Sequence, residues 1–215
     1  MTTTLDRPHV WLPGEPEQSS EQNSEQNEAP LLLLHGTGGD EHDLLVLREH
    51  LAPTAPALSV RGAVLEQGMP RFFRRLREGV FDEDDLRDRV AELAAFLAAA
   101  EHEYGVAPGS WRAVGFSNGA NIASALLLQR PETLAEAVLL AAMVPFHSPP
   151  GADLTGKRVA VVNGQADPMA TPEHTTTLTE QLRMAGAQVS VLSHPGGHTI
   201  DPQQLPRVRQ FLEEG

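Results

Sequence analysis

From residue 31 onward, short apolar runs alternate with longer series of spaced apolar positions. Leu31–Leu34 is an unbroken apolar run closed by H-G-T-G-G (35–39), the pattern of a strand buried on both faces that ends in a turn. Asp43–Leu51 carries Leu44, Leu47 and Leu51 at helical spacing, and Ala57–Val60 is a further short strand. The spacing predicts a long helix over Glu83–Tyr104, where Leu86, Val90, Leu93, Leu97, Ala100 and Tyr104 recur every three or four residues. Acidic residues open it and Gly105 stops it, as the helix dipole and C-cap preferences require. Strand Trp111–Gly115 then precedes a helix over Asn118–Gln129 that Pro131 closes. Ala137–Ala141, Val159–Val162 and Val189–Leu192 are three more runs of strand length. A helix with Thr171 as N-cap and Pro172 at its first position, ended by Gly186, lies between the last two. A final helix covers about Pro206 to Glu213. Strands alternating with helices imply an α/β fold whose mostly parallel sheet is covered on both faces.

Residues 15–28, E-P-E-Q-S-S-E-Q-N-S-E-Q-N-E, have no apolar side chain to bury against their ordering entropy and read as a mobile polar loop. The loop joins His9–Leu12 to Leu31–Leu34, which are expected to pair as neighbouring strands of a first hairpin. The whole chain, 1–215, is read as one domain.

Composition narrows the possible roles. A formal charge of -13 disfavours nucleic acid as a partner, because phosphates would be repelled over most of the surface. No apolar run approaches the roughly 18–20 residues that cross a bilayer, so no membrane partner is expected. No basic start followed by an apolar core marks a secretory signal. Cysteine is absent, which removes disulfides, thiolate metal sites and a cysteine nucleophile, and fits a cytoplasmic location. The basic cluster Arg71, Arg74, Arg75 and Arg77 precedes Glu78, Asp82, Glu83, Asp84 and Asp85, and reads as a solvated, locally paired face.

The sharpest chemical signal is G-F-S-N-G (115–119), which fits the G-x-S-x-G nucleophile elbow between a strand and a helix. Five residues alone are weak evidence, but Trp111–Val114 and Ala120–Leu128 supply the required strand and helix. A serine hydroxyl needs a base to remove its proton, and the base needs an orienting acid. In this fold they follow in the order serine, acid, histidine. Asp167 follows the Val159–Val162 strand and His198 follows Val189–Leu192, so both fall at carboxyl ends of parallel strands.

Asp153 precedes its strand, and Asp201 comes after the histidine, where it caps the last helix. His194 is the competing base, although its place at the strand end suits packing or a loop hydrogen bond. For the oxyanion, Asn118 N–H is the expected donor at the helix N-terminus, and Thr37 N–H the second, with Gly38 behind it. His35 is read as shaping that glycine loop. Gly151–Arg158 resembles a phosphate loop but lacks Ser/Thr and precedes its strand, and no histidine pair has zinc spacing. No metal and no cofactor are inferred.

These pieces together resemble the phospholipase/carboxylesterase family of α/β-hydrolases, which includes acyl-protein thioesterases. The chain looks closest to its small bacterial members associated with quinone and hydroquinone stress. The resemblance rests on L-L-L-L-H-G-T-G-G-D-E-H-D-L (31–44), S-V-R-G (59–62), G-M-P-R-F-F-R-R-L (68–76), G-F-S-N-G-A-N-I-A (115–123), G-x-x-D-P (164–168) and G-G-H (196–198). It implies Ser117, Asp167 and His198 as a triad with Thr37 and Asn118 as oxyanion donors. It further implies that Met69–Leu76 lies at the pocket mouth, with Met69, Phe72 and Phe73 facing substrate and Arg71 available to an acidic one. Arg74, Arg75 and Arg77 keep a surface role under the resemblance.

The expected activity is hydrolysis of small carboxylic esters or thioesters through an acyl-enzyme, with small or no lid and a monomer or homodimer as the working unit. The alternatives are a non-catalytic binding protein on the same scaffold, and a lipase or peptidase using the same triad.

Overall fold

The computed structural model describes residues 5–14 and 28–215, and the expectation of a mobile loop falls on 15–27, outside them, apart from Glu28. The Leu31–Leu34 run forms β2, and its neighbours show why it is continuously apolar. Strand β2 pairs in parallel with β3 (Ala57–Val60) on one side and with β8 (Trp111–Phe116) on the other. Leu32 and Leu34 pack into one core cluster and Leu31 and Leu33 into another, so the two-residue period feeds both faces of the sheet.

Strands β9 (Leu134–Leu140), β10 (Arg158–Gly164) and β11 (Gln188–His194) extend the sheet in parallel beyond β8. With β1 (His9–Leu12) at one edge, the seven-stranded order is β1-β3-β2-β8-β9-β10-β11. One face is covered by α2 (Glu83–Tyr104), α3 (Asn118–Gln129) and α4 (Pro172–Met184), through Leu86, Leu93, Ile122, Leu126, Leu178 and Leu182 among others. The opposite face is covered by α1 (Leu45–Leu51) and α5 (Leu205–Glu213), through Leu47, Leu51, Val208 and Phe211.

The first strand corrects one expectation. Strand β1 (His9–Leu12) does not form a hairpin with β2; it pairs antiparallel with β3, His9 opposite Val60. Both edges of β2 are already occupied by parallel partners, and β1 takes the free outer edge of β3. The half-buried pattern of β1 suits that edge position, where Trp11 stacks on Tyr104 at 4.5 Å.

The predicted helix signals are met locally. Asp82 caps α2 by accepting from Asp85 N–H, Thr171 caps α4 through His174 N–H, and Asp201 caps the short turn that leads into α5. Between β3 and α2 the chain makes two small antiparallel hairpins, β4–β5 (Val64–Glu66 with Met69–Arg71) and β6–β7 (Arg75–Arg77 with Val80–Phe81).

Gly105 ends α2 with φ +65°, and a Cβ there would meet nothing within 4 Å. Gly105→Ala therefore isolates backbone strain from packing. A loss of about 1 kcal/mol is expected, visible as a lower midpoint in thermal or urea unfolding with no change in the urea slope.

Candidate active site

Strand β8 runs straight into α3 through Ser117, which is held at φ 52°, ψ −113°. A non-glycine residue in that region is strained and persists only where its surroundings over-determine it. Here the Ser117 N–H donates to Leu140 C=O (2.8 Å) and its carbonyl accepts from Asn121 N–H (2.9 Å). A Cβ on Gly119 would run into the Leu34 and His35 carbonyls, and one on Gly115 into the Gly119 backbone. The helix start is thus pressed directly against the end of β2, which is why both flanking positions are glycine.

Asp167 lies in the loop after β10 and His198 in the loop after β11. Adjacent parallel pairing of β10 and β11 brings the two loops together, and Ala166 N–H bonds Gly196 C=O at 3.1 Å. His198 Nδ1 stands 2.7 Å from Asp167 Oδ2, and its Nε2 stands 2.8 Å from Ser117 Oγ. The second Asp167 oxygen accepts from the N–H groups of Met169 (2.7 Å) and Ala170 (3.0 Å), so the carboxylate cannot swing away from the imidazole. The rival residues are engaged elsewhere. His194 is buried and accepts from Gly196 N–H, while Asp153 is exposed and caps a turn at Thr155.

The loop after β2 forms the other side of the site. Gly38 N–H donates to Pro70 C=O at 2.9 Å and is thereby occupied, whereas the backbone N–H groups of Thr37 and Asn118 have no partner among the described residues. His35 is buried beneath this loop, with Nδ1 2.6 Å from Gly36 C=O and Nε2 3.0 Å from Gly62 N–H. A carbonyl partner at Nδ1 and an amide N–H at Nε2 require the neutral ring protonated at Nδ1. Burial lowers the His35 pKa, against the opposing pull of the Gly36 carbonyl and nearby carboxylates. Asn118 Oδ1 accepts from Phe72 N–H (2.7 Å), tying the elbow to the hairpins.

A small cleft beside Ser117 is lined by Thr37, Arg71, Phe81, Asn118, Met143 and Met169, with Arg75, Gly79 and Asn121 completing it. The cleft is narrow, with about 20 Å³ of free volume. Arg71 lines the cleft, and its Nη1 donates to Thr37 Oγ1 at 2.6 Å.

Phe72 and Phe73 depart from the expectation that they face substrate. Both are fully buried: Phe72 packs on His35 (centroids 4.9 Å apart) and Phe73 sits edge-on to Phe81 (5.0 Å). The chain turns between β5 and β6, so these rings enter the core while Phe81, from the second hairpin, reaches the cleft. Met69 packs over Gly38 on the outside of the loop and is partly exposed. Arg75, read as a surface residue, lines the cleft instead; Arg74 and Arg77 do face solvent.

Met143, Met169 and Asn121 went unread in the sequence. Asn121, one helical turn beyond Ser117, and Met169, two residues beyond Asp167, carry a spacing signal that points to them. Among the described residues, no group of three or more His, Asp or Glu side chains converges as metal ligands would.

Comparison with known proteins agrees with this architecture. The phospholipase/carboxylesterase family profile matches residues 17–214. The chain belongs to that family. It is 46% identical over 184 residues to a Bacillus subtilis (strain 168) protein named as a hydrolase, MhqD, covering 86% of this chain and 92% of that one. It superposes on the crystal structure of a Bacillus cereus carboxylesterase with a TM-score of 0.91 at 39% identity, over 99% of this chain and 96% of that one. A carboxylesterase from Mesorhizobium loti gives a TM-score of 0.83 at 33% identity, over 88% and 90% of the two chains. The protein has the α/β-hydrolase fold and is a hydrolase of this family.

The neutral His35 makes a pH prediction. Its folded pKa lies below the ordinary 6.5, so near and below that pH the unfolded chain takes up a proton that the folded chain resists. The His35 contribution to stability therefore falls as the pH drops below 6.5. Melting temperature followed from pH 7.5 to 5.5 is expected to decline, at about the ordinary histidine pKa, with a smaller slope in His35→Gln, whose amide can both donate and accept.

Proposed function

We propose that the protein hydrolyses small carboxylic esters or thioesters, with Ser117 as nucleophile, His198 as general base and acid, and Asp167 as its orienting carboxylate. The observation that carries this reading is the unbroken chain from Ser117 Oγ through His198 to Asp167, at 2.8 and 2.7 Å. His198 Nε2 takes the serine proton as Oγ attacks the carbonyl carbon. The negative oxygen of the tetrahedral intermediate sits between the Thr37 and Asn118 N–H groups, the second of which adds the positive end of the α3 dipole. His198 then protonates the departing alcohol or thiol. Water activated by the same nitrogen attacks the acyl-enzyme and releases the acid.

The narrow cleft supports short acyl and leaving groups over long lipid chains. The hairpins spanning 64–81 supply only a small cap, which agrees with substrates taken from solution. None of the described helices is long and apolar enough to cross a membrane. The cysteine-free composition suits a cytoplasmic setting, and the protein would work there as a monomer or homodimer.

Ser117→Ala is expected to lower kcat on short-chain aryl esters by roughly 10⁶, and Asp167→Asn by about 10⁴ through the wrong imidazole tautomer. Steady-state assays decide both, and near-native turnover in Ser117→Ala would overturn the assignment. Across a series of acyl lengths, kcat/KM is expected to peak at short chains and fall for long ones.

A further inference from the structure

We propose that the cleft beside Ser117 is built for an ester that also carries a carboxylate, held by Arg75 and Arg71 with Asn118 Nδ2 as a neutral donor. The inference rests on the reading of Ser117 as the nucleophile and names the substrate class for that site.

The charge distribution is the first observation. The chain carries a formal charge of -13, yet among the described residues the cleft holding its serine is lined by two arginines and no carboxylate. A positive cleft in an acidic protein draws in anions that the rest of the surface repels.

The second observation is how the arginines are held. Glu66 stands behind both: Arg75 Nε donates to Oε1 at 2.8 Å, and Arg71 Nε lies 3.2 Å from Oε2 while donating to Phe73 C=O. One carboxylate thus orients two guanidiniums and neutralises one. Arg71 spends Nη1 on Thr37, but its Nη2 and both terminal nitrogens of Arg75 make no hydrogen bond among the described residues. Arg71 is only 3% exposed, so its positive charge is carried inside the wall of the cleft at a desolvation cost. Fixing Thr37 accounts for Arg71 by itself. It does not account for Arg75.

The third observation is independent of charge. Asn118 is 2% exposed and lines the cleft, and its Nδ2 is buried with no hydrogen-bond partner among the described residues. A donor left in this state is costly, and an oxygen of a bound substrate is the acceptor that would satisfy it. Met143, Met169 and Phe81 give the same cleft an apolar side for a short carbon skeleton. Donors, apolar side chains and the proposed nucleophile lining one cleft describe a site for a small ester with one free acid group.

Two matched pairs test this at low ionic strength, with uncatalysed hydrolysis subtracted: 4-acetoxybenzoate against 4-acetoxybenzamide, and monophenyl glutarate against phenyl valerate. The native enzyme is expected to favour the acid in at least one pair by about tenfold in kcat/KM, the scale of one charge-assisted hydrogen bond. Within Arg75→Gln that ratio should fall toward one, and Arg75→Lys should restore part of it; a general loss of activity cancels in the ratio. Native ratios of one or less in both pairs, or a preference untouched in Arg75→Gln, would overturn the inference while leaving the esterase reading intact. If the native enzyme cleaves none of the four esters, the esterase reading fails. Titration calorimetry with glutarate then decides the anion site: heat with native protein that is lost in Arg75→Gln supports it, and no heat with either rejects it.

Discussion

The site depends on one backbone contact, the packing of Gly119 at the start of α3 against the carbonyl ends of β2 at Leu34 and His35. No side chain separates the two, so the turn carrying Ser117 and the loop carrying Thr37 are set relative to each other at the backbone level. The cost is the strained conformation of Ser117, held by hydrogen bonds to Leu140 and Asn121. A serine placed this way has no rotation of its own backbone to average over, which suits the proposed role of Ser117 in a reaction sensitive to fractions of an ångström.

Around that contact the polar groups form a connected frame. His35 braces the loop from below through Gly36 and Gly62, Arg71 reaches Thr37 from the side, and Asn118 binds the backbone at Phe72. The hairpins at 64–81 are therefore a part of the site wall and not a loose excursion from it. Asp167 and His198 are fixed separately, through paired loops at the ends of β10 and β11 and two amides on Asp167. The two halves meet at Ser117 Oγ, with the Phe116 ring beside that of His198. Elsewhere the arginines of α2 form exposed pairs such as Arg87 with Glu83 and Asp84, which contribute little to stability by comparison.

Most elements were legible because their patterns are long or chemically marked. The 22-residue α2 has several turns of apolar repeat, an acidic start and a glycine stop, and β2 is a bare apolar run that only a doubly covered strand tolerates. Strand β1 was recognised but given the wrong partner. Pairing is a property of which edge remains open, and that depended on β8, some hundred residues further along. The segment 62–83 was unreadable for a related reason. Its strands have two or three residues each, too few for a two-residue period to say which side chains turn inward. Phe72, Phe73 and Arg75 were misplaced there. Apolar character suggested a substrate face for rings the core had claimed, and a charge run suggested solvent for an arginine that the second hairpin turns inward.

The sequence by itself determined the order of strands and helices, the elbow with its serine, and the candidate acid and base at strand ends. Those features follow from local periodicity, glycine placement and chain order. Only the tertiary structure decided the edge partner of β1, the 2.7 and 2.8 Å distances that join Asp167, His198 and Ser117, and the arginine-lined cleft beside them. Each of these depends on segments far apart in the chain meeting at one point. No local pattern of residues encodes where that point will be.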